Sequence, residues 1–213
     1  MRKQRYLTLE KRLSVPFWTK LAVPLVSIVA GFLFSAIFLL ISGESPLEVY
    51  SVMFEGAFGS AYGLSETIVK MIPLMIISVG VAFAFKMQIW NAGGEGQLHI
   101  GAAAATYVVL HLNGCSRFVT VLLAFLAAFI CAGIYGLIPA ILKVKWKVNE
   151  LITCLMLNYV ATFFVAWLIQ GPWKDPTGFA FPRTRKIPSA GELTTFFGTR
   201  IHTGLIIGLA IAL

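Results

Sequence analysis

The sequence predicts an all-α fold, a polytopic bundle of transmembrane helices, and three observations predict it. Only 12% of the residues are charged and 58% are hydrophobic, whereas a soluble domain carries about 25% charged residues. Charge-free stretches long enough to cross a bilayer recur, at residues 21–41, 118–142 and 151–169. Lys and Arg avoid these stretches and collect between them, as in loops that meet anionic headgroups. The net charge of +8, distributed this way, argues against a nucleic-acid surface. No internal repeat, low-complexity tract or polar domain is visible. One membrane domain over residues 21–213 therefore follows a basic segment over residues 1–20.

Each element follows from the local pattern. Residues 1–20 hold Arg2, Lys3, Arg5, Lys11, Arg12 and Lys20 against Glu10. Residues 21–41 carry no charge and reach about 31 Å at 1.5 Å per residue. That run is too long for a signal-peptide core, and no A-x-A site follows, so it predicts an uncleaved first helix. Pro24 falls in its first turn, where proline costs little. Residues 43–69, with Glu44, Glu48, Glu55 and Glu66, are polar enough to predict a loop outside the membrane. Residues 71–85 are apolar and bracketed by Lys70 and Lys86, which can snorkel outward and extend the span. Further spans are predicted at 98–112, 118–142 and 151–169, with a tight turn at 113–117 and the cluster Lys143, Lys145 and Lys147 after the fourth. A long loop over 171–200 holds Pro172, Pro176, Pro182 and Pro188. Residues 205–213 are apolar to the last residue but reach only about 14 Å. The expectation is about six hydrophobic segments in a chain truncated at its carboxyl end. Pro73 and Pro139 should kink their spans, and Trp90, Trp146, Trp167 and Trp173 lie near span ends, as interfacial anchors do.

Charge sets the expected orientation. The basic amino terminus and the Lys143–Lys147 cluster should both be cytoplasmic by the positive-inside rule, and the four spans between them satisfy both anchors. The acidic 43–69 region then lies outside. So does the 171–200 loop, although it holds Lys174, Arg183, Arg185, Lys186 and Arg200. The pattern offers no role for that excess beyond a docking surface.

Enzyme signatures are missing. The chain has no G-x-x-x-x-G-K-[ST], H-E-x-x-H or G-x-S-x-G sequence. Its single aspartate is Asp175, in the long loop. Three cysteines without a C-x-x-C pair make no disulfide framework; Cys131 and Cys154 read as small apolar filler. No catalytic residue, metal site or cofactor is expected.

The most informative segment is Trp90–Gly101, a polar glycine-rich break between two apolar stretches. Irregular backbone near membrane depth is tolerated only where it is buried in protein or lines a cavity. Gly93, Gly94 and Gly96 can supply positive φ or let a neighbour come close, or they can form an ordinary turn. The alanines after Gly101 favour close helix packing. Asn91 and Gln97 can satisfy freed backbone groups. Glu95 and His99, spaced i, i+4, share a helix face; they suit an ion pair or cap, or a lining of the pathway, and offer too few ligands for a tetrahedral metal. Asn149 or Glu150 can cap the helix from 151. Asn158 lies mid-span, where its amide must bond another helix or a ligand. The candidate pathway residues are Asn91, Gly93, Gly94, Glu95, Gly96, Gln97 and Asn158.

These residues also carry a resemblance. Ile89-Trp-Asn-Ala-Gly-Gly-Glu-Gly-Gln-Leu-His-Ile-Gly-Ala resembles the Phe-Asn-Ile-Gly-x-Glu-Gly-Gln-x-x-x-Gly-Ala signature of ABC-importer permeases in the branched-chain amino acid and ribose permease superfamily. Trp90 and Ala92 depart from it conservatively. Val148-Asn-Glu-Leu-Ile-Thr-Cys-Leu-Met-Leu-Asn-Tyr-Val-Ala and Gln170-Gly-Pro-Trp-Lys-Asp-Pro are similar to blocks of its nucleoside-uptake branch. The likeness covers roughly residues 65–213. It implies a bacterial plasma-membrane permease subunit, itself no enzyme, for nucleosides, or alternatively for a sugar or branched-chain amino acid. The implied partners are separate ABC ATPase subunits, a second permease subunit and an extracytoplasmic substrate-binding protein or lipoprotein. The segment that docks on the ATPase would lie beyond residue 213. Outside the resemblance, a membrane channel or scaffold subunit without an ATPase is the competing class. Glycine-interrupted hydrophobic segments point to the working region of such transporters.

Overall fold

The computed structural model describes residues 16–112, 114–178, 182–196 and 198–213. The described residues form seven α-helices, one 3-10 turn and two isolated β-bridges. The helices are α1 (Phe17–Ile41), α2 (Pro46–Phe58), α3 (Ala61–Lys86), α4 (Gly94–His111), α5 (Arg117–Trp146), α6 (Glu150–Gln170) and α7 (Gly204–Ala212). All six predicted hydrophobic segments are helical. Four of the helices, α1, α3, α5 and α6, are long and apolar enough to cross a membrane. Residues 1–15 of the basic amino-terminal segment lie outside the described residues.

The loop expected over 43–69 is corrected. It contains α2 and the first turns of α3, which starts ten residues before Met71. Pro46 at the first helical position is preorganised for a helix start. Glu48 in the first turn meets the positive end of the helix dipole. Of the glutamates that read as loop composition, Glu48 and Glu55 belong to α2 and Glu66 to α3.

The chain divides into two units, residues up to Ser60 and Ala61–Leu213. In the first, α1 runs through Pro24 and turns at Gly43, whose φ is 83°. Tyr50 of α2 donates to the Phe32 carbonyl of α1 at 2.7 Å, and the two rings meet edge to face at 5.3 Å.

In the second unit α4 packs on α5 and α6, and α7 packs on α3. Most of the buried residues are small, namely Ala84, Ala103, Ala124, Cys154 and Ala161 with Ser65 and Thr120, and they are joined by Ile72, Val109, Leu168 and Asn158. The exposed set is large and apolar, including Phe83, Phe118, Phe129, Phe163 and Trp167. That inversion of a soluble core suits a hydrocarbon solvent. There, helices associate through small residues that let backbones approach, and large side chains face lipid.

The described residues after α6 make contacts among themselves and with α3 and α5. Lys174 and Thr184 form a β-bridge, and the Asp175 N–H donates to the Arg183 carbonyl at 2.8 Å. The Asp175 carboxylate accepts from the Thr177 N–H and hydroxyl and pairs with Arg183 at 3.2 Å. These contacts, the Thr177 N–H foremost, hold its carboxyl below the usual carboxylate range. Arg117, at the start of α5, donates from two nitrogens to the Glu192 carbonyl. This holds the 3-10 turn Ser189–Gly191 against the α4–α5 hairpin, with no room for a side chain at Gly191 beside Val109. Arg200 reaches back to Glu66 of α3 at 3.0 Å.

Candidate functional site

The break between α3 and α4 is short. Lys86 ends α3, and the chain passes through Gln88 at φ 57° and starts α4 at Gly94, with Gly93 as cap. Three side chains of α6, Glu150, Cys154 and Asn158, meet it. Asn91 Oδ1 accepts from the Gly93 N–H at 3.0 Å, and Cys154 Sγ lies 3.7 Å from the same oxygen. Asn158, buried mid-α6, accepts from the Gly96 N–H at 2.9 Å and donates to the Ala92 carbonyl at 2.9 Å. One amide thus satisfies an N–H of the first helical turn, which has no intrahelical partner, and a carbonyl of the connector. Glu150 accepts from the Trp90 N–H at 2.9 Å and ion-pairs with Lys143 at the end of α5. Tyr135 of α5 donates to the Leu157 carbonyl of α6 at 2.7 Å, one residue before Asn158.

The glycines serve close approach. Gly93, Gly94 and Gly96 all have negative φ, so the positive-φ expectation is corrected; that conformation falls on Gln88 instead. A Cβ on Gly96 would sit 2.8 Å from Asn158 Oδ1, 3.2 Å from Asn158 Cα and 3.2 Å from Tyr135 Cε1. Gly96 is therefore where α4 meets α6 almost backbone to backbone. At Gly94 the nearest obstacle is the end of a flexible side chain, Ile77 Cγ2 at 2.9 Å.

The remaining candidates divide by position. Gln97 lies over Gly136 of α5, where a Cβ would be 2.9 Å from its amide nitrogen. Glu95 points away from this packing, with a side chain 67% exposed, and approaches His99 to 3.9 Å. Asn91 and Glu95 border a groove of about 270 Å³ whose other side is Ile77, Val81, Phe85 and Trp90. The Phe85 and Trp90 rings meet edge to face at 5.6 Å. The groove thus offers aromatic surface, a carboxylate and an amide. Asn149 accepts from the Leu151 and Ile152 N–H groups and caps α6; Glu150 is engaged elsewhere.

The structure brings Asn91, Gly93, Gly96 and Asn158 together, leaves Glu95 on the groove side, and adds Lys143, Tyr135 and Cys154. Lys143 and Glu150 are seven residues apart across a helix end, a spacing that carries no periodic signal. Among the described residues no three His, Cys, Asp or Glu side chains gather as a metal site would require.

A family profile described as branched-chain amino acid transport system, permease component, matches residues 63–213. The chain is 32% identical over 215 residues to a glucose ABC transporter permease protein of Haloferax volcanii, covering 96% of this chain and 56% of that one. It is 34% identical over 198 residues to a guanosine ABC transporter permease protein of Bacillus subtilis, covering 90% of this chain and 56% of that one. It is 34% identical over 151 residues to a nucleoside ABC transporter permease protein of Lactococcus lactis, covering 71% of this chain and 42% of that one. The chain thus spans about half the length of the curated relatives it matches. No solved structure matches.

Proposed function

This multi-pass membrane chain belongs to the branched-chain amino acid transport system permease family, and from that premise we propose that it is a permease subunit of an ATP-driven importer of nucleosides. In this reading the chain forms no covalent bond. It offers alternative access states that separate ATPase subunits bias. A second permease subunit completes the pathway, and an extracytoplasmic binding protein or lipoprotein delivers cargo in a bacterial plasma membrane.

The observation that carries the reading is the bonding of the break into the bundle through Asn158. A solvated connector needs no buried amide to satisfy it; a segment that supports a pathway does. Asn91 and Glu95 on the adjoining groove are the residues proposed to meet polar cargo, and Phe85 and Trp90 supply faces on which a flat base can rest. Gly93, Gly96, Gln97 and Asn158 hold that wall in place, with Gly94 at the turn.

Nucleoside cargo is supported by the guanosine and nucleoside permeases at 34% identity. Sugar cargo is the second reading, favoured by the glucose permease matched over 96% of the chain. The deciding experiment is uptake of labelled guanosine, glucose and leucine by cells carrying this gene with its neighbouring subunit genes. Guanosine uptake that depends on the chain supports the first reading; glucose uptake alone replaces it with the second.

A further inference from the structure

The basic excess of the segment after α6 has a structural setting that the transport reading does not use. Lys174 lies four residues beyond the end of α6 and bridges Thr184. Residues opposite one another in such a pair are about 5 Å apart at Cα, so Arg183 and Arg185, on either side of Thr184, lie across from Lys174 within reach of long side chains, with Lys186 next. The local carboxylate, Asp175, is paired with Arg183. Among the described residues Lys174, Arg185 and Lys186 are exposed and have no ion-pair partner.

Beside this cluster is an apolar groove. It holds about 340 Å³ between α4, α5 and α6, running past Ile100, Ala104, Tyr107, Cys131 and Phe164 to Trp173, the residue before Lys174. Its volume is that of a small-ligand site. Its floor lies on α5 and α6, both long and apolar enough to span the membrane. Trp173 at its lip is the side chain type that sits at headgroup level. An acidic protein would match the cations and leave the groove without purpose. A free phosphate would do the same.

We propose that the α4–α5–α6 groove and the basic hairpin after α6 form a binding site for an anionic phospholipid. One acyl chain lies in the groove, and the phosphate lies among Lys174, Arg185 and Lys186. The lipid supplies the counter-charge that the hairpin lacks, which gives the breach of the positive-inside pattern a physical cause.

The test uses the full chain in lipid nanodiscs and reads lipid contact rather than uptake, so it stands or falls apart from the cargo assignment. Phosphatidylglycerol and phosphatidylcholine carrying the same mid-chain diazirine are photolysed, and labelled peptides are mapped by mass spectrometry. The expected result is labelling of the 100–108 and 131 region by the anionic probe, roughly tenfold above the zwitterionic one, each basic residue contributing severalfold at an anionic surface. The triple variant K174Q/R185Q/K186Q, confined to exposed positions, should remove that preference and leave background labelling elsewhere unchanged. Excess glycerol phosphate should not compete, because it lacks the chain. Equal labelling by both probes, an anionic preference that falls outside the groove, an unaltered preference in the triple variant, or displacement by glycerol phosphate would each overturn the proposal.

Discussion

At Gly96 the fold leaves no space for a methyl group, and the obstacle is a neighbouring backbone together with the amide that pairs with it. Gly96→Ala should cost about 1–3 kcal/mol, the range for overpacking a tight contact. It should lower thermal stability in detergent and abolish uptake. Gly94→Ala should be mild, because the Ile77 methyl can swing aside, while Gly94→Leu should lose transport. Near-normal uptake by Gly94→Leu at matched expression would leave residues 91–97 as a connector. Asn158→Ala should strand the Gly96 N–H and the Ala92 carbonyl, each worth about 1–3 kcal/mol when buried unpaired. Amide exchange at Gly96, followed by mass spectrometry, should accelerate in that variant; unchanged protection would count against the bond. Asn158 as helix glue was legible in the sequence, because an amide in the middle of an apolar run must find a partner. The glycines were legible as tight spots but not in their dihedral angles, since the path of a connector is fixed by what both its ends pack on.

Between elements the decisive contacts are long-range. Glu150 clamps the break by its backbone at Trp90 and α5 by its charge at Lys143. Glu150→Gln keeps an acceptor for the Trp90 N–H and should retain most function. Glu150→Ala removes both ties, and protease cutting at residues 87–90 should rise severalfold; equal cutting in the two variants would show that the clamp is idle. The segment after α6 should respond to pH. Because the Asp175 carboxyl is depressed in the folded chain, its contribution is complete above the ordinary carboxylate range. It is lost as pH falls through the lower folded value. Protection of residues 171–186 from acid-stable proteases should fall in that window, and Asp175→Asn should flatten the profile. The six apolar helices could be read from hydropathy. Helix α2 and the start of α3 could not: Glu66 reads as loop polarity until Arg200, far along the chain, is seen beside it.

For the whole molecule, orientation is the open expectation. Lys145 should face the cytoplasm and Ser189 the exterior. Cysteines placed at the two positions, in a background without native cysteines, should label from outside intact cells at 189 alone. Labelling at 145 alone would invert the order of spans. The membrane character and the family were legible because composition and two motif blocks state them. The tertiary partners of the break were not, because nothing in a single sequence records which helix Asn158 meets. The way that asparagine and Glu150 grip the break has a kinematic consequence. The start of α4, the connector from Trp90 and the first half of α6 are riveted together, so they have no freedom to slide past one another and must travel as one body. Residues 87–89 donate back to the Phe83, Phe85 and Ala84 carbonyls at the end of α3, so the joint between α3 and that body narrows to the link from Ile89 to Trp90, beside the left-handed Gln88. Any swing of α3 against that body has its pivot there, far from the residues that an uptake screen would first mutate.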